Sequence, residues 1–266
     1  MRAAEKRIAV RPQEEKRRTY MAALIIFVLF LVSTISTEYQ PFELFANMEN
    51  FWDFLFQDLL PPRQTDPQMI VEGVIQTVSM AIVATLLAAV LSMILAFLGA
   101  EATCPWKPLR KLVRLIASIQ RNIPNMIWIF ILIMAFGIGN VVGMLALLIQ
   151  STGFMTRAFI ETLDEIGGES LEAMHAVGAT RFAIITQALI PACLSGVISW
   201  MLYGLEINIR SSSLVGAVGG GGIGLVMMGY IKQFRYHSAM GTILLIAAIV
   251  ILVDMLTNFL RKKVLA

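Results

Sequence analysis

An all-α integral membrane protein with about six transmembrane helices is the fold class expected of this 266-residue chain. Its residues are 58% hydrophobic and only 15% charged, against about 25% charged in soluble domains. Several uncharged stretches approach or exceed the roughly 20 apolar residues that a helix needs to cross a bilayer. Most lysines and arginines fall in clusters between those stretches. Cys104 and Cys193 are expected as free thiols, because neither a disulfide pattern nor a zinc spacing surrounds them. With only two histidines, the chain offers no metal cluster.

The first 19 residues form a basic leader. Residues 20–37 follow as the first span, with an unbroken apolar run from Met21 to Val32. The same run would serve as the core of a signal peptide, with Thr34-Ile35-Ser36 as a small-residue cleavage site. The long leader and the lack of a better cleavage pattern favour a retained helix. Residues 38–68 carry six acidic residues against Arg63, and Leu44, Phe45, Met48, Phe51, Trp52, Leu55 and Leu59 recur at helical spacing. An amphipathic helix on the outer membrane surface, or packed across the outer mouth of the bundle, fits that pattern.

Residues 73–100 are uncharged and form the second span. Residues 122–156 are uncharged too, but Gly137-Ile138-Gly139-Asn140 is turn chemistry. Two spans are therefore expected, near 119–136 and 141–160. Residues 184–207 and 238–260 complete six. With both termini cytoplasmic, seventeen lysines and arginines lie inside, while Arg63, Arg210, Lys232 and Arg235 lie outside, which follows the positive-inside rule.

The loop at 161–183 departs from that bias, with Glu161, Asp164, Glu165, Glu169 and Glu172 near only two arginines. An acidic cytoplasmic loop fits either a docking surface for a protein or an ordinary solvated face. Within it stands Glu172-Ala173-Met174-His175-Ala176-Val177-Gly178, with Pro191 thirteen residues after the glycine. This resembles the coupling loop of ABC importer permeases: Glu-Ala-Ala, three residues, Gly, nine residues, then Ile-x-Leu-Pro. Met174, Ala188 and Ile190 depart from that pattern but stay apolar. Arg121-Asn122-Ile123-Pro124 resembles the Arg-x-Ile-Pro at the entry to a core span of the same permeases.

Gly204-Leu205-Glu206-Ile207-Asn208-Ile209-Arg210-Ser211-Ser212-Ser213, running into Gly219-Gly220-Gly221-Gly222-Ile223-Gly224, resembles a block of phosphonate permeases. The resemblance covers about residues 70–260. It implies a type I ABC importer permease architecture with cytoplasmic coupling helices, with residues 69–260 as the transmembrane domain and 261–266 as a cytoplasmic tail. It further implies a homodimer in the bacterial inner membrane, two cytoplasmic ATPase subunits docked on 161–183 and a periplasmic substrate-binding protein. ATP and Mg would be bound by the ATPase partner, leaving this chain without cofactor or catalytic residues. The cargo implied is phosphonate, phosphite or phosphate.

Read as chemistry alone, Glu206 and Arg210 are four apart and can pair on one helix face. Ionisable residues in a span face protein or water, not lipid. Residues 211–231 are uncharged, yet seven of the fourteen from 216 to 229 are glycine, which weakens a helix. A re-entrant or periplasmic segment over 208–236 is expected instead. Glu206, Asn208, Arg210, Ser211, Ser212, Ser213, Gly221 and Gly222 would then line the pathway and offer donors to an oxyanion; the alternative is a structural pair beside closely packed helices. Glu72, Gln76 and Ser79 form a further polar stripe. The glycines lack the Lys-Ser/Thr of a phosphate-binding loop. Rival functions are a secondary transporter or channel for a small anion, or an importer permease for another solute such as an amino acid. A membrane enzyme would need clustered acids or histidines, which the scattered Glu72, Glu206 and Asp254 do not supply. Membrane lipid is an expected partner, and nucleic acid is not.

Overall fold

The computed structural model describes residues 13–37, 45–63, 66–176 and 178–265; of residues 13, 14, 168–176, 181 and 265 only the backbone is described. The described residues are helical with turns and contain no strand. The chain divides into two compact units, residues 1–57 and 58–266.

In the first unit, α1 (Gln13–Ser36) is long and apolar enough to cross a bilayer. Its hydroxyls stay on the helix itself, Thr34 donating to the Phe30 carbonyl and Thr37 to that of Ser33, as a helix in hydrocarbon requires. α2 (Met48–Asp53) runs into a π-helical turn, Phe54–Leu59. Phe51, Trp52 and Phe56 form an exposed aromatic row there, with ring centroids 5.4 and 5.6 Å apart. Leu44 of the expected amphipathic run lies outside the described residues.

The second unit is built on α3 (Pro67–Gly99) and α6 (Asn140–Ala176), which pack along each other more extensively than any other pair. Small side chains make this possible. Ala84, Ala88, Ser92, Ala96 and Ala100 recur every fourth residue of the chain, and all are fully buried. Such a stripe lets two backbones approach closely, the main source of helix association where lipid competes for apolar contact. The Ser92 hydroxyl crosses to the Thr152 carbonyl at 3.1 Å. Around this seam, Met155, Phe159 and Leu163 of α6 meet Cys193 and Val197 of α7 (Ile190–Val215). A helical turn, Arg181–Ala183, and a π-helical turn, Ile184–Leu189, lead into α7. Cys104 and Cys193 are free thiols, both buried.

The span expected near 119–136 is not one straight helix. α4 (Lys107–Asn122) and α5 (Asn125–Phe136) meet at about 90°. Pro124 disfavours helical geometry at the residue before it, and Ile123 is extended, with φ −83° and ψ 120°. The apolar sequence continues through a corner that the backbone cannot pass as a helix. The turn expected at 137–140 is present, with Gly137 at φ +83°.

The glycine-rich stretch is packed inside the unit. α7 continues through Ser211, Ser212 and Ser213 to Val215, followed by a π-helical turn, Gly216–Gly220, and α8 (Gly222–Lys232). Gly221 at φ +81° and Gly222 at φ +68° make the turn between them, a region that L side chains avoid. A Cβ would run into Asn140 Oδ1 at Gly221 and into Thr77 Oγ1 at Gly222. The Gly139 N–H donates to the Gly219 carbonyl at 3.1 Å, and the Ile223 N–H to Thr77 Oγ1 at 2.8 Å. These bonds and close approaches join α3, the start of α6 and α8. α9 (Tyr236–Leu265) closes the unit against α7 and α8, and it runs through most of the segment expected as a tail. At the opposite end of α8, Asp66 accepts from Tyr230 and Arg235 at 3.2 and 3.3 Å.

One polar residue ties the three main helices. Asn208 of α7, 1% exposed, donates to Thr85 Oγ1 of α3 and accepts from Ser151 Oγ of α6, both at 2.8 Å. Asn208→Leu removes both links and leaves the buried Ser151 hydroxyl without its acceptor, while Thr85 keeps its bond to the Ala81 carbonyl. We expect it to cost about 1–2 kcal/mol, read as a lower melting temperature in detergent. Ser199→Ala, on the outer face of α7, is the control and leaves the melting temperature unchanged; equal melting of the two variants would refute this role.

Candidate functional site

Two features carry functional geometry: one end of α6, and the outward face of α7.

α6 has 37 residues. At 1.5 Å per residue it is about 55 Å long, whereas the hydrocarbon core is about 30 Å thick. Its charged residues begin at Arg157 and lie toward one end, so the acidic C-terminal turns stand outside. The backbone stays helical through Glu172, Ala173 and Met174, whose side chains lie outside the described residues, and ends at Ala176. Gly178 has φ +76°, and nothing lies within 4 Å of where its Cβ would be. Glycine is needed there for the backbone alone. The chain then restarts as a helix, with the Ala183 N–H capped by Thr180 Oγ1 at 3.4 Å, and reaches Pro191 in the first turn of α7. Phe182 stands 77% exposed on this elbow. Sequence reading passed over it, because one aromatic in a polar loop has no periodicity to mark it.

The root of this projection is clasped by Asp164. One carboxylate oxygen accepts the Glu101 and Ala102 N–H groups, at 2.6 and 3.2 Å; the other accepts Arg114 Nη2 at 2.7 Å. Arg114 Nε in turn donates to the Gly99 carbonyl at 3.0 Å. A single side chain thus fastens the turn after α3 and the middle of α4 to α6. Arg110 and Glu101 add an ion pair at 3.4 Å. In sequence Asp164 was one acid among five. Its partners lie 50 to 63 residues away, so no local signal distinguishes it.

Along α7, Ser195, Ser199, Tyr203, Glu206, Arg210 and Ser213 recur three or four residues apart and share the face turned away from the bundle. Arg210 donates to Glu206 Oε1 at 2.9 Å; the arginine side chain is 59% exposed and the glutamate 11%. Arg261 lies over the Tyr203 ring, 6.0 Å from its centroid, and lines an open hollow with Ser199, Trp200 and Tyr203. Of the residues expected in a pathway, Glu206, Arg210, Ser211 and Ser213 are accessible. Asn208, Ser212, Gly221 and Gly222 are not. Asn208 and Ser212 face the core because they sit about half a helical turn from Arg210, and the Ser212 hydroxyl returns to the Ile209 carbonyl. Glu72, Gln76 and Ser79 are exposed together on α3, with Gln68 donating to Glu72.

The clasp makes a measurable demand. Asp164→Ala leaves two backbone N–H groups without an acceptor, which costs about 1–3 kcal/mol and speeds hydrogen exchange at Glu101 and Ala102. Arg114→Met keeps both of those bonds and has the smaller effect on exchange.

Comparison with known proteins agrees with this architecture. The family model "Binding-protein-dependent transport system inner membrane component" matches residues 94–265. The phosphite transport system permease protein PtxC of Stutzerimonas stutzeri is 31% identical over 77% of this chain and 74% of its own. The phosphate-import permease protein PhnE of Mycolicibacterium smegmatis is 29% identical over 88% of this chain, which spans only 44% of that relative's length. A methionine permease, MetP of Bacillus subtilis, is 28% identical over 59% of this chain. Among solved structures, a chain of the inward-facing MetNI methionine ABC transporter superposes with a TM-score of 0.66 at 24% identity, covering 76% of this chain and 99% of that one. A chain of a bacterial alginate ABC transporter superposes with a TM-score of 0.61 at 12% identity, covering 93% and 97%. With its all-helical fold, five or six apolar spans and a family match over most of its length, this chain belongs to the inner-membrane permease components of binding-protein-dependent ABC importers.

Proposed function

We propose that the chain is the permease subunit of an ABC importer that moves phosphonate, or a related phosphorus oxyanion such as phosphite or phosphate, into the cytoplasm. The observation that carries this reading is the polar stripe on α7. A helix that crosses the membrane does not turn Glu206 and Arg210 toward lipid; the stripe that holds them, with Ser195, Ser199 and Ser213, has to meet water or another subunit. Two copies facing each other across this surface enclose a polar route. Arg210, mostly exposed though paired with Glu206, offers guanidinium donors suited to a tetrahedral oxyanion. Ser211 and Ser213 flank it, and the polar stripe of α3 supplies further accessible groups. The names of the phosphite and phosphate permease relatives support the same cargo class.

Energy comes from outside the chain in this reading. Two cytoplasmic ATPase subunits bind the projecting end of α6 and the Gly178 elbow, with ATP and Mg held in those subunits. A periplasmic binding protein delivers the anion to the opposite side, and both termini of the permease are cytoplasmic. Closure of the ATPases draws the paired elbows together. The Asp164 clasp passes that displacement to α3 through the Glu101 and Ala102 amides and to α4 through the Arg114 guanidinium. The spans tilt, and access to the route alternates between the two sides.

The test is uptake by the permease reconstituted with its ATPase and binding protein, over a panel of phosphorus oxyanions and amino acids. Arg210→Gln lowers oxyanion uptake about tenfold, the scale of one charge-assisted hydrogen bond, while the complex still assembles. Gly178→Asp leaves ATP hydrolysis but uncouples it from uptake. Uptake of an amino acid with no oxyanion transported overturns the cargo assignment; unchanged transport and assembly in Gly178→Asp overturns the docking assignment.

A further inference from the structure

Helix α4 divides its surface three ways. Leu109, Val113, Ala117 and Gln120 face the protein; Val113 and Ala117 are 4% and 3% exposed. At Gly153 of α6, an added Cβ would meet the Ala117 carbonyl at 3.1 Å and the Arg121 amide nitrogen at 3.0 Å, so the two helices touch backbone to backbone there. A second sector holds Leu112, Leu115, Ile116 and Ile119, exposed by 53, 56, 41 and 49%. At 100° per residue these four fall within an arc of roughly 100°. The third sector holds Lys107, Lys111, Arg114, Ser118 and Arg121. Among the described residues Arg114 is engaged by Asp164, whereas no carboxylate pairs with Lys107, Lys111 or Arg121.

Neither bulk water nor the hydrocarbon interior suits such a helix. Water would leave four branched aliphatic side chains uncovered side by side, and the interior would strand three cations. A helix with one apolar and one basic sector is stable at the boundary, with the apolar sector 5–10 Å into the headgroup–acyl region. The turn of about 90° between α4 and α5 is the turn that a chain makes on passing from the membrane plane into the membrane. Trp106, 62% exposed just before α4, is the side chain most enriched, with Tyr, at that depth.

We propose that α4 is an interfacial helix that binds anionic phospholipid, with Leu112, Leu115, Ile116 and Ile119 among the acyl chains and Lys107, Lys111 and Arg121 on the headgroups. This rests only on the chain being a membrane protein, so it stands or falls separately from the cargo and the ATPase docking.

The test uses the full chain in vesicles of phosphatidylcholine and phosphatidylglycerol, with Cys104 and Cys193 replaced by alanine and one spin-labelled cysteine at a time. Labels at Leu112→Cys, Leu115→Cys, Ile116→Cys and Ile119→Cys are expected to meet oxygen more than a water-soluble nickel chelate. Labels at Lys111→Cys and Ser118→Cys are expected to show the reverse. Chelate access at all six positions overturns the proposal by placing α4 in water. Shielding of the four apolar positions from both reagents overturns it by assigning that sector to protein, a second copy included. A second measurement needs no labelling: the unmodified chain retains phosphatidylglycerol in preference to phosphatidylcholine. The preference falls about fivefold for each charge removed in K107Q/K111Q/R121Q, and an unchanged preference overturns the headgroup contact.

Discussion

The close approach of α3 and α6 along their small residues is the constraint on which the second unit depends. Apolar side chains gain little by leaving lipid for protein, so helices in a membrane associate through fit and through bonds that lipid cannot offer. The stripe from Ala84 to Ala100 supplies the fit, and Ser92 and Asn208 supply bonds. Everything functional is mounted on that pair. α7 is held against it by Asn208, so its opposite face turns outward with Glu206 and Arg210. α4 is seated on it at Gly153, which leaves the aliphatic and basic sectors of α4 uncovered.

The two ends of the unit are built differently. At one end the glycine-rich turn, Thr77, Asn140 and the start of α8 lock through backbone contacts so tight that side chains are excluded. At the other, α6 runs beyond the bilayer and is fastened by a carboxylate that accepts two amides and a guanidinium. The hub is held by backbone contacts and the other end by one side chain, which is the lever arrangement that the proposed function uses.

The corrections concern direction more than identity. Glu206, Asn208, Arg210 and Ser212 were all recognised as polar residues in a span, and all of them matter. Helical geometry then separates them: two face out and two face in. Periodicity hints at that split, but a helix with polar residues on opposite sides does not itself say which side its neighbours cover.

What the sequence by itself determined is whatever the bilayer and the local backbone dictate: the number and approximate place of the apolar helices, the turn at Gly137, the Gly178 elbow and the Glu206–Arg210 pair. These follow from hydrophobic run length, from φ limits and from fourfold spacing along one helix. Only the tertiary structure decided that the glycines form an internal hub, that Asp164 is the one acid among five that clasps α6, and that α4 keeps an aliphatic sector bare. The hub and the clasp depend on partners 15 to 146 residues apart in the chain, and such pairings leave no periodic trace in a single sequence.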